Sequence, residues 1–211
     1  MKKMKETPSK DKILKSIELA GASMQQDAAS PGRADGTCAA VPANELDDDL
    51  PVLFAQRFTQ AGGSIFYCAN IEELRAQLRD LLASENITAL PCSTSQLTAF
   101  INSLSDPAAR VIPEAHTVTI NESATACALP CQALLAADGS TIVTDYQGLG
   151  SSLTVVPRTV ILIAFTSQVT TTWNAVTQAL GEQYDTMPNY IYALTPDPSH
   201  KLYMLMIEDQ A

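Results

Sequence analysis

A continuous apolar run, TVILIAF, occupies residues 159–165 and is followed by the polar sequence Thr-Ser-Gln. A strand with one face in water alternates apolar and polar residues, and this run does not alternate. Strands that are buried on both faces of a helix-covered sheet have such a pattern. The run is also far too short to span a bilayer. It therefore predicts a central strand in a sheet that is covered on both sides.

Helix-like and strand-like segments alternate around this run. Apolar residues recur at helical spacing in residues 50–61, 71–82 and 173–184, and polar residues open a further predicted helix at 93–104. The Asp138-Gly139 pair is a two-residue hairpin signal, so it predicts an antiparallel pair. The other predicted strands are 64–68, 87–92, one or two short strands within 109–121, 131–137, 140–145, 190–195 and 201–207. This order predicts an α/β fold with one mixed, mostly parallel sheet flanked by helices.

The chain of 211 residues divides into three predicted parts. Residues 1–20 form a helical arm, because Ile13, Leu14 and Ile17 fall at helical spacing. Residues 21–46 are rich in Gly, Ala, Ser, Pro and Asp, and they lack the large apolar side chains that would offset ordering entropy. We interpret them as a flexible linker. Residues 47–211 form the compact domain.

The formal net charge of −10 bears on the classes of partner. A negative surface repels phosphate backbones and anionic lipid, so we expect neither nucleic acid nor a membrane as a partner. The basic N-terminus resembles the start of a signal peptide, but no apolar stretch of the required length follows it. We therefore expect a cytoplasmic protein without a membrane span. The five scattered cysteines fit free, buried thiols in a reducing compartment.

Metal, cofactor and triad chemistry find little support in the sequence. Cys127 and Cys131 are four residues apart, and His116 and His200 lie far from them, whereas zinc and iron–sulfur sites need three or four ligands at tight spacing. We predict no metal and no cofactor, and interpret the two cysteines as packing residues in a turn before a strand. No Gly-x-Ser-x-Gly elbow marks a nucleophile, and the histidines favour surface or hydrogen-bonded roles.

One candidate ligand loop spans residues 147–152 and contains Gly150, Ser151 and Ser152. Its Gly-x-Gly lacks the third glycine of a dinucleotide fingerprint and the Gly-Lys of a P-loop. Backbone N–H groups in a loop of this kind can still bind an anion.

A second candidate loop, residues 166–170, follows the buried strand and contains Thr166, Ser167 and Gln168. In open parallel sheets, ligands lie at the carboxyl ends of the strands. The simpler interpretation is that Thr166, Ser167 and Thr170 cap the next helix. The sequence leaves both interpretations open.

The segments ALLAADGSTIV, SSLTVVPRTVILIAFTSQV and MPNYIYALT together resemble the LUD-domain family, of the lactate utilisation protein C type. The resemblance implies a fold similar to that of sugar-phosphate isomerases and CoA-transferases. It also implies a role beside iron–sulfur subunits that oxidise L-lactate to pyruvate. The strand pair in which the family carries Thr-Gly-Thr here contains Gly139, Ser140 and Thr141, which are further ligand-binding candidates.

Departures from the family pattern indicate a weakened pocket. Ala137 stands where the family often has Glu, and Ser151 and Ser152 stand where it has an Arg pair. The histidine of its Pro-Val-His segment is absent at Arg158-Thr159, and the C-terminal Ser-Arg-Thr-Ala-Asp motif is missing. Charged groups of that kind are the natural binders of a small anion.

Three functional hypotheses follow. The first is an accessory or non-catalytic subunit of lactate or organic-acid oxidation, with iron–sulfur oxidoreductase subunits as partners and a small organic acid as a ligand. The second is an isomerase-like or transferase-like enzyme that uses the loops at 147–152 and 166–170, which rests on fold analogy. The third is a degenerate paralogue with a structural role, which the sequence does not separate from the first. Whether the chain alone is an enzyme stays open, with the balance against it.

Overall fold

The computed structural model of the chain describes residues 50–103, 110–112, 126–147 and 157–209, together with the helical position Lys15. The predicted arm and linker, apart from Lys15, and the loop residues Gly150, Ser151 and Ser152 lie outside the described residues. Among these described residues, no helix is long and apolar enough to cross a membrane.

The described helices and strands follow the predicted alternation. The helices are α1 (Leu50–Gln60), α2 (Ile71–Ser84), α3 (Ser95–Ser103) and α4 (Trp173–Gln183). The strands are β1 (Ser64–Cys68), β2 (Ala89–Pro91), β3 (Arg110–Ile112), β4 (Ala126–Pro130), β5 (Ala133–Leu135), β6 (Ser140–Thr144), β7 (Thr159–Phe165), β8 (Val169–Thr170), β9 (Ile191–Leu194) and β10 (Lys201–Ile207). Short 3-10 turns follow β6 (Asp145–Gln147) and β7 (Thr166–Gln168).

The principal sheet is parallel throughout, in the order β1-β10-β7-β4. Strands β2 and β3 form a second parallel pair, and a bridge between Cys92 and Ala128 places that pair beside β4. The run at 159–165 is the inner strand β7, which pairs with β10 on one side and with β4 on the other. The prediction of a central, fully covered strand is therefore confirmed.

The antiparallel strands β5, β6 and β9 and the short strand β8, which is parallel to β5, form a separate sheet in the order β8-β5-β6-β9, which we call the antiparallel sheet. The predicted α/β fold with a mostly parallel sheet flanked by helices is confirmed, whereas the expectation that the antiparallel pair joins that same sheet is wrong. The two-residue hairpin is also wrong. Leu135 pairs with Ser140, which leaves a four-residue loop at 136–139. The loop is closed by the Gly139 N–H, which donates to the Leu135 carbonyl, and by the Ser140 N–H, which donates to Asp138.

Two apolar layers cover the two faces of the parallel sheet. On one face, Val160, Leu162 and Ala164 of β7 pack in a cluster with α1 and the antiparallel sheet. On the other face, Ile161 and Ile163 pack in a cluster with α2 and α3. A third, smaller cluster joins α4 to the antiparallel sheet. Successive side chains of a strand point to opposite faces, so an unbroken apolar run is what this layering requires.

The cysteines at 68, 92, 127 and 131 are all buried and free. The prediction of core packing is confirmed for them, and Cys38 lies outside the described residues. The predicted turn at Cys127 is wrong, because Cys127 lies within β4 and pairs with Val160. Burial raises the pKa of the Cys92 thiol to about 11 and that of Cys127 to about 12. These thiols are therefore protonated and unreactive at neutral pH.

Glu85, at the end of α2, joins this helix to the start of β10. Both carboxylate oxygens accept from Lys201 Nζ at 2.8 and 3.0 Å, and Oε1 accepts from the Tyr203 hydroxyl at 2.6 Å. The hydrogen bonds from Lys201 and then Tyr203 lower the pKa of Glu85. Burial, and then Glu85, raise the pKa of Tyr203 to about 12.

Substitution of Glu85 tests this junction through its pH dependence. A carboxylate with a lowered folded-state pKa contributes stability above its unfolded pKa and loses it as the pH falls through the folded value. We expect Glu85→Gln to cost about 1 kcal/mol at pH 7, with the difference from wild type shrinking as the pH falls below the unfolded value of about 4.3. Thermal melts from pH 7 to pH 3 measure this. Glu72→Gln is the control, since Glu72 pairs with Arg75 on the exposed surface of α2. A difference that does not shrink between pH 7 and pH 3 would contradict the assignment.

Candidate functional site

The loop after β7 is fixed to the neighbouring strand by Gln168. Its Oε1 accepts from the Phe165 N–H at 2.7 Å, and its Nε2 donates to the Cys131 carbonyl at 2.7 Å. Cys131 follows β4, so one side chain spans the carboxyl ends of two parallel strands. Because both ends of the amide are engaged, Gln168 supports this edge and has its polar atoms directed into the fold.

Asp209, which follows β10, binds the other two residues of this loop. Its Oδ2 accepts from the Ser167 N–H at 2.6 Å and from the Thr166 hydroxyl at 3.0 Å. Partial burial acts to raise the pKa of Asp209, but the bonds from Ser167 and Thr166 outweigh it, so the pKa is lowered. The chain therefore places its own carboxylate on the backbone N–H group where an anion would bind.

Helix α4 begins later than the capping interpretation requires. Its N-cap is Thr172, whose side chain accepts from the Ala175 N–H. Thr166 and Ser167 lie in a 3-10 turn, and Thr170 lies in β8. The interpretation of these three residues as helix caps is therefore wrong, because Thr166 and Ser167 precede the short strand β8 and Thr170 lies within it.

An open cleft of about 550 Å³ lies between this loop, the β4–β5 connection and α4. Its volume is in the range of small-molecule sites. One wall is the small and apolar surface of α4 at Ala175, Val176 and Ala179. The polar lining consists of Gln132, Gln147, Ser167, Gln168, Thr170, Gln183 and Tyr184. The cleft thus lies at the carboxyl edge of the parallel sheet, as the fold predicts for a ligand.

A chain of glutamine amides crosses the cleft. Gln147 accepts from the N–H and the hydroxyl of Thr144, at 2.7 and 2.6 Å. It donates to Gln132 at 2.6 Å, and Gln132 in turn donates to Gln183 at 2.7 Å. The Tyr184 hydroxyl donates to the same Gln132 oxygen at 3.0 Å. This chain of amides joins the antiparallel sheet to the end of α4 through uncharged groups.

The lining contains no carboxylate, imidazole, ammonium or guanidinium group within the part of the chain that the structure describes. Its titratable groups are the Tyr184 phenol and the Cys131 thiol. Burial raises the pKa of Cys131. General acid–base catalysis works best with a pKa near the operating pH. This lining is therefore better suited to binding than to proton transfer.

The predicted site residues divide into two groups. Ser167 and Gln168 line the cleft, and Thr166 lies beside them. In contrast, Ser140 and Thr141 are buried in β6, and Gly139 is packed against α1 in the loop at 136–139. A ligand role for these residues stays a prediction. The structure brings the 166–168 loop to the cleft but does not bring the 139–141 segment there.

The sequence does not mark Gln132, Gln147 and Gln183 as one site, although the candidate loop at 147–152 includes Gln147. Gln132 and Gln183 are 51 positions apart in sequence. One available signal is the polar Gln132 directly before the apolar run at 133–137. Another is Tyr184, which the sequence places in the apolar stripe of α4 and whose hydroxyl reaches Gln132.

Ser199, His200 and Asp197 lie together in one exposed turn, but not as a catalytic triad. The Ser199 hydroxyl lies 2.8 Å from Nδ1 of His200, and Asp197 Oδ2 lies 3.4 Å from the same nitrogen. A triad needs the serine and the carboxylate on opposite ring nitrogens. Ser199 also donates to Asp197, which lowers the pKa of that carboxyl. The cluster therefore stabilises the turn before β10.

Among the residues that the structure describes, no group of three or more His, Cys, Asp and Glu side chains is placed to hold a metal ion. The cysteines at 127 and 131 are each buried in apolar surroundings. The fold therefore uses these potential ligands as packing residues.

Comparison with known proteins connects this geometry to a family. The LUD domain profile matches residues 53–204, which is well over half of the chain. The fold is similar to the crystal structure of a DUF162 family protein from Deinococcus radiodurans, with a TM-score of 0.59 and 14% sequence identity. That similarity covers 76% of this chain and 96% of the other chain. No curated protein matches the sequence. The matched region contains the cleft, the parallel sheet except the last three residues of β10, and all four helices except the first turn of α1, and the chain therefore belongs to the LUD-domain family.

Proposed function

We propose that this protein is an accessory, ligand-binding subunit of lactate or related organic-acid oxidation, acting beside iron–sulfur subunits in the cytoplasm. Family membership supports the lactate-utilisation context. The lining of the cleft supports binding in place of catalysis, because its polar groups are mainly amides and hydroxyls. The observation that carries the proposal is this neutral lining at the carboxyl edge of the parallel sheet.

An accessory subunit needs a contact surface, and we infer that it lies next to the cleft. Tyr146, Met187 and Tyr190 are each 45% exposed. The Tyr146 hydroxyl donates to the Thr186 carbonyl, and the Tyr190 carbonyl accepts from the Asp145 N–H, so the three side chains belong to one region. Tyrosine and methionine are enriched in protein interfaces. We call this region the Tyr-Met surface and assign it to the iron–sulfur partner.

Affinity capture from the organism grown on lactate tests this proposal. We expect the tagged wild-type protein to recover iron–sulfur oxidoreductase subunits, identified by mass spectrometry. Met187→Glu is expected to lower the recovery about tenfold or more, because it places a charge in the interface. Ile71→Glu is the matched control, since Ile71 is also an exposed apolar residue, at 39%, but lies on α2. Absence of iron–sulfur subunits from the wild-type capture would refute the accessory role.

A second candidate is an isomerase-like or transferase-like enzyme that uses the loops at 147–152 and 166–170. The position of the cleft at the carboxyl edge of a parallel sheet favours it. A thermal-shift panel of organic acids, sugar phosphates and acyl-CoA separates the two, followed by turnover assays on any ligand found. A ligand at 100 times its dissociation constant adds about 2.7 kcal/mol to the stability. Product formation by the isolated chain would favour the enzyme, whereas binding without turnover would favour the accessory subunit.

A further inference from the structure

The amide chain in the cleft has one direction, which the backbone fixes. The Thr144 N–H can only donate, so the Gln147 atom 2.7 Å from it is the carbonyl oxygen. The Thr144 hydroxyl accepts from the Tyr146 N–H and donates to the same oxygen. The carbonyl oxygen of Gln147 is therefore held by two donors of Thr144, the last residue of β6.

This orientation passes from one glutamine to the next. With its oxygen held by Thr144, Gln147 directs its amino group at Gln132, so the contacted Gln132 atom is the oxygen. The Tyr184 hydroxyl donates to that oxygen as well. Gln132 consequently directs its own amino group at the oxygen of Gln183. Each carbonyl oxygen is used inside the chain, and the terminal polar group is the Gln183 amino group.

Two further polar residues of the cleft, Gln168 and Ser167, have partners within the protein. Gln168 uses its oxygen for Phe165 and its nitrogen for Cys131. The Ser167 N–H donates to Asp209. The Gln183 amino group at the rim of the cleft is thus the donor that a bound molecule would meet at the end of the amide chain.

We propose that the cleft selects small molecules that carry a hydrogen-bond acceptor, with a carboxylate as the best match, and that Gln183 is the contact residue. Gln147 and Gln132 are positioning residues that turn its N–H groups outward. At Gln183, an amine or ammonium group would meet a donor in place of an acceptor, so this contact disfavours it. The inference deepens the proposed function, because it assigns the chemical group by which an organic acid would be held.

Isothermal titration of the full chain with three probes tests this selectivity. Two probes are L-lactate and pyruvate. The third is 1-amino-2-propanol, which keeps the lactate skeleton but replaces the carboxylate by an aminomethyl group. We expect both acids to bind, and we expect the affinity for the amine to be lower by a factor of about ten or more.

Gln183→Glu is the decisive variant. The new carboxylate can still accept from Gln132, so the internal chain is kept while the outward donor becomes an acceptor. We expect the affinity of this variant for the acids to be lower by a factor of about ten or more. Asn174→Asp makes the same amide-to-carboxylate change at an exposed position of the same helix, away from the lining, and should alter the affinity by less than about twofold.

The outcomes separate this inference from the proposed function. Equal affinity of the wild type and Gln183→Glu for the acids, tighter binding of the amine, or no binding of either acid to the wild type would each overturn the inference. The accessory role depends on the capture of iron–sulfur subunits. Acid binding that responds to Gln183, together with a capture that lacks those subunits, would support the cleft assignment and refute the accessory role.

Discussion

Replacing Gly139 with alanine is expected to lower the free energy of unfolding by about 3 kcal/mol. Gly139 has φ of +75°, which costs an L-residue energy. A Cβ atom there would lie 2.6 Å from the Phe58 nitrogen and 2.8 Å from the Arg57 carbonyl carbon. Both are backbone atoms of α1, so no side-chain rotation relieves the overlap, and the loop and the helix must move apart.

Gly62→Ala is the matched control for the steric part of this effect. Gly62 has φ of +101°, and an added Cβ would meet nothing within 4 Å. We expect it to cost about 1 kcal/mol, from backbone strain alone. Urea unfolding followed by circular dichroism measures both variants. Equal losses would show that the approach of the loop at 136–139 to α1 contributes nothing to stability.

Gly139 shows how one sequence signal admits two physical reasons. In the sequence, Asp138-Gly139 predicts a tight turn and, through the family resemblance, a ligand-binding position. The structure gives a packing reason for the glycine, because the loop lies directly against the backbone of α1. The turn itself is longer than predicted, since its length depends on the pairing of Leu135 with Ser140 and not on the dipeptide.

The parts of the fold that depend on local pattern could be predicted from the sequence. The unbroken run of β7, the Asn70 cap that binds the Glu73 N–H, and the stripes on α1 and α4 are each determined within a few residues. The separation into two sheets could not be predicted. It depends on which strands pair across long sequence distances, such as β6 with β9, and periodicity within a strand carries no information about its partner.

The sequence could predict where a candidate site would lie in the fold, but it could not predict which side chains would line that site. The rule that ligands lie at the carboxyl ends of parallel strands placed the 166–168 loop at the cleft. Charged groups, phosphate loops and metal ligands have recognisable sequence patterns, whereas the polar side chains of this site are mainly neutral amides. A glutamine signals nothing by itself, and the role of Gln132 arises from contacts with Gln147 and Gln183 that only the fold provides. The alternative capping role failed for Thr166 because β8 intervenes before α4.

Truncating Leu162 to alanine is expected to cost about 3 kcal/mol and to lower the melting temperature by about 6–12 °C. Leu162 is fully buried at the middle of β7, with Met204 of β10 beside it on one side and Leu129 of β4 on the other. Removing its methyl groups loses the transfer free energy and leaves a cavity between the sheet and α1. Calorimetry or denaturant unfolding gives the change directly.

Phe165→Ala is the matched control, because Phe165 belongs to the same strand but is 42% exposed at its end. Its N–H bond to Gln168 is a backbone contact that the substitution retains. We expect a loss of about 1 kcal/mol or less, although phenylalanine loses more atoms than leucine does. The predicted ranking thus runs opposite to side-chain size and follows burial in the sheet. If Phe165→Ala proved the more destabilising variant, the carboxyl end of β7 beside the cleft would carry more of the stability than the covered centre of the sheet.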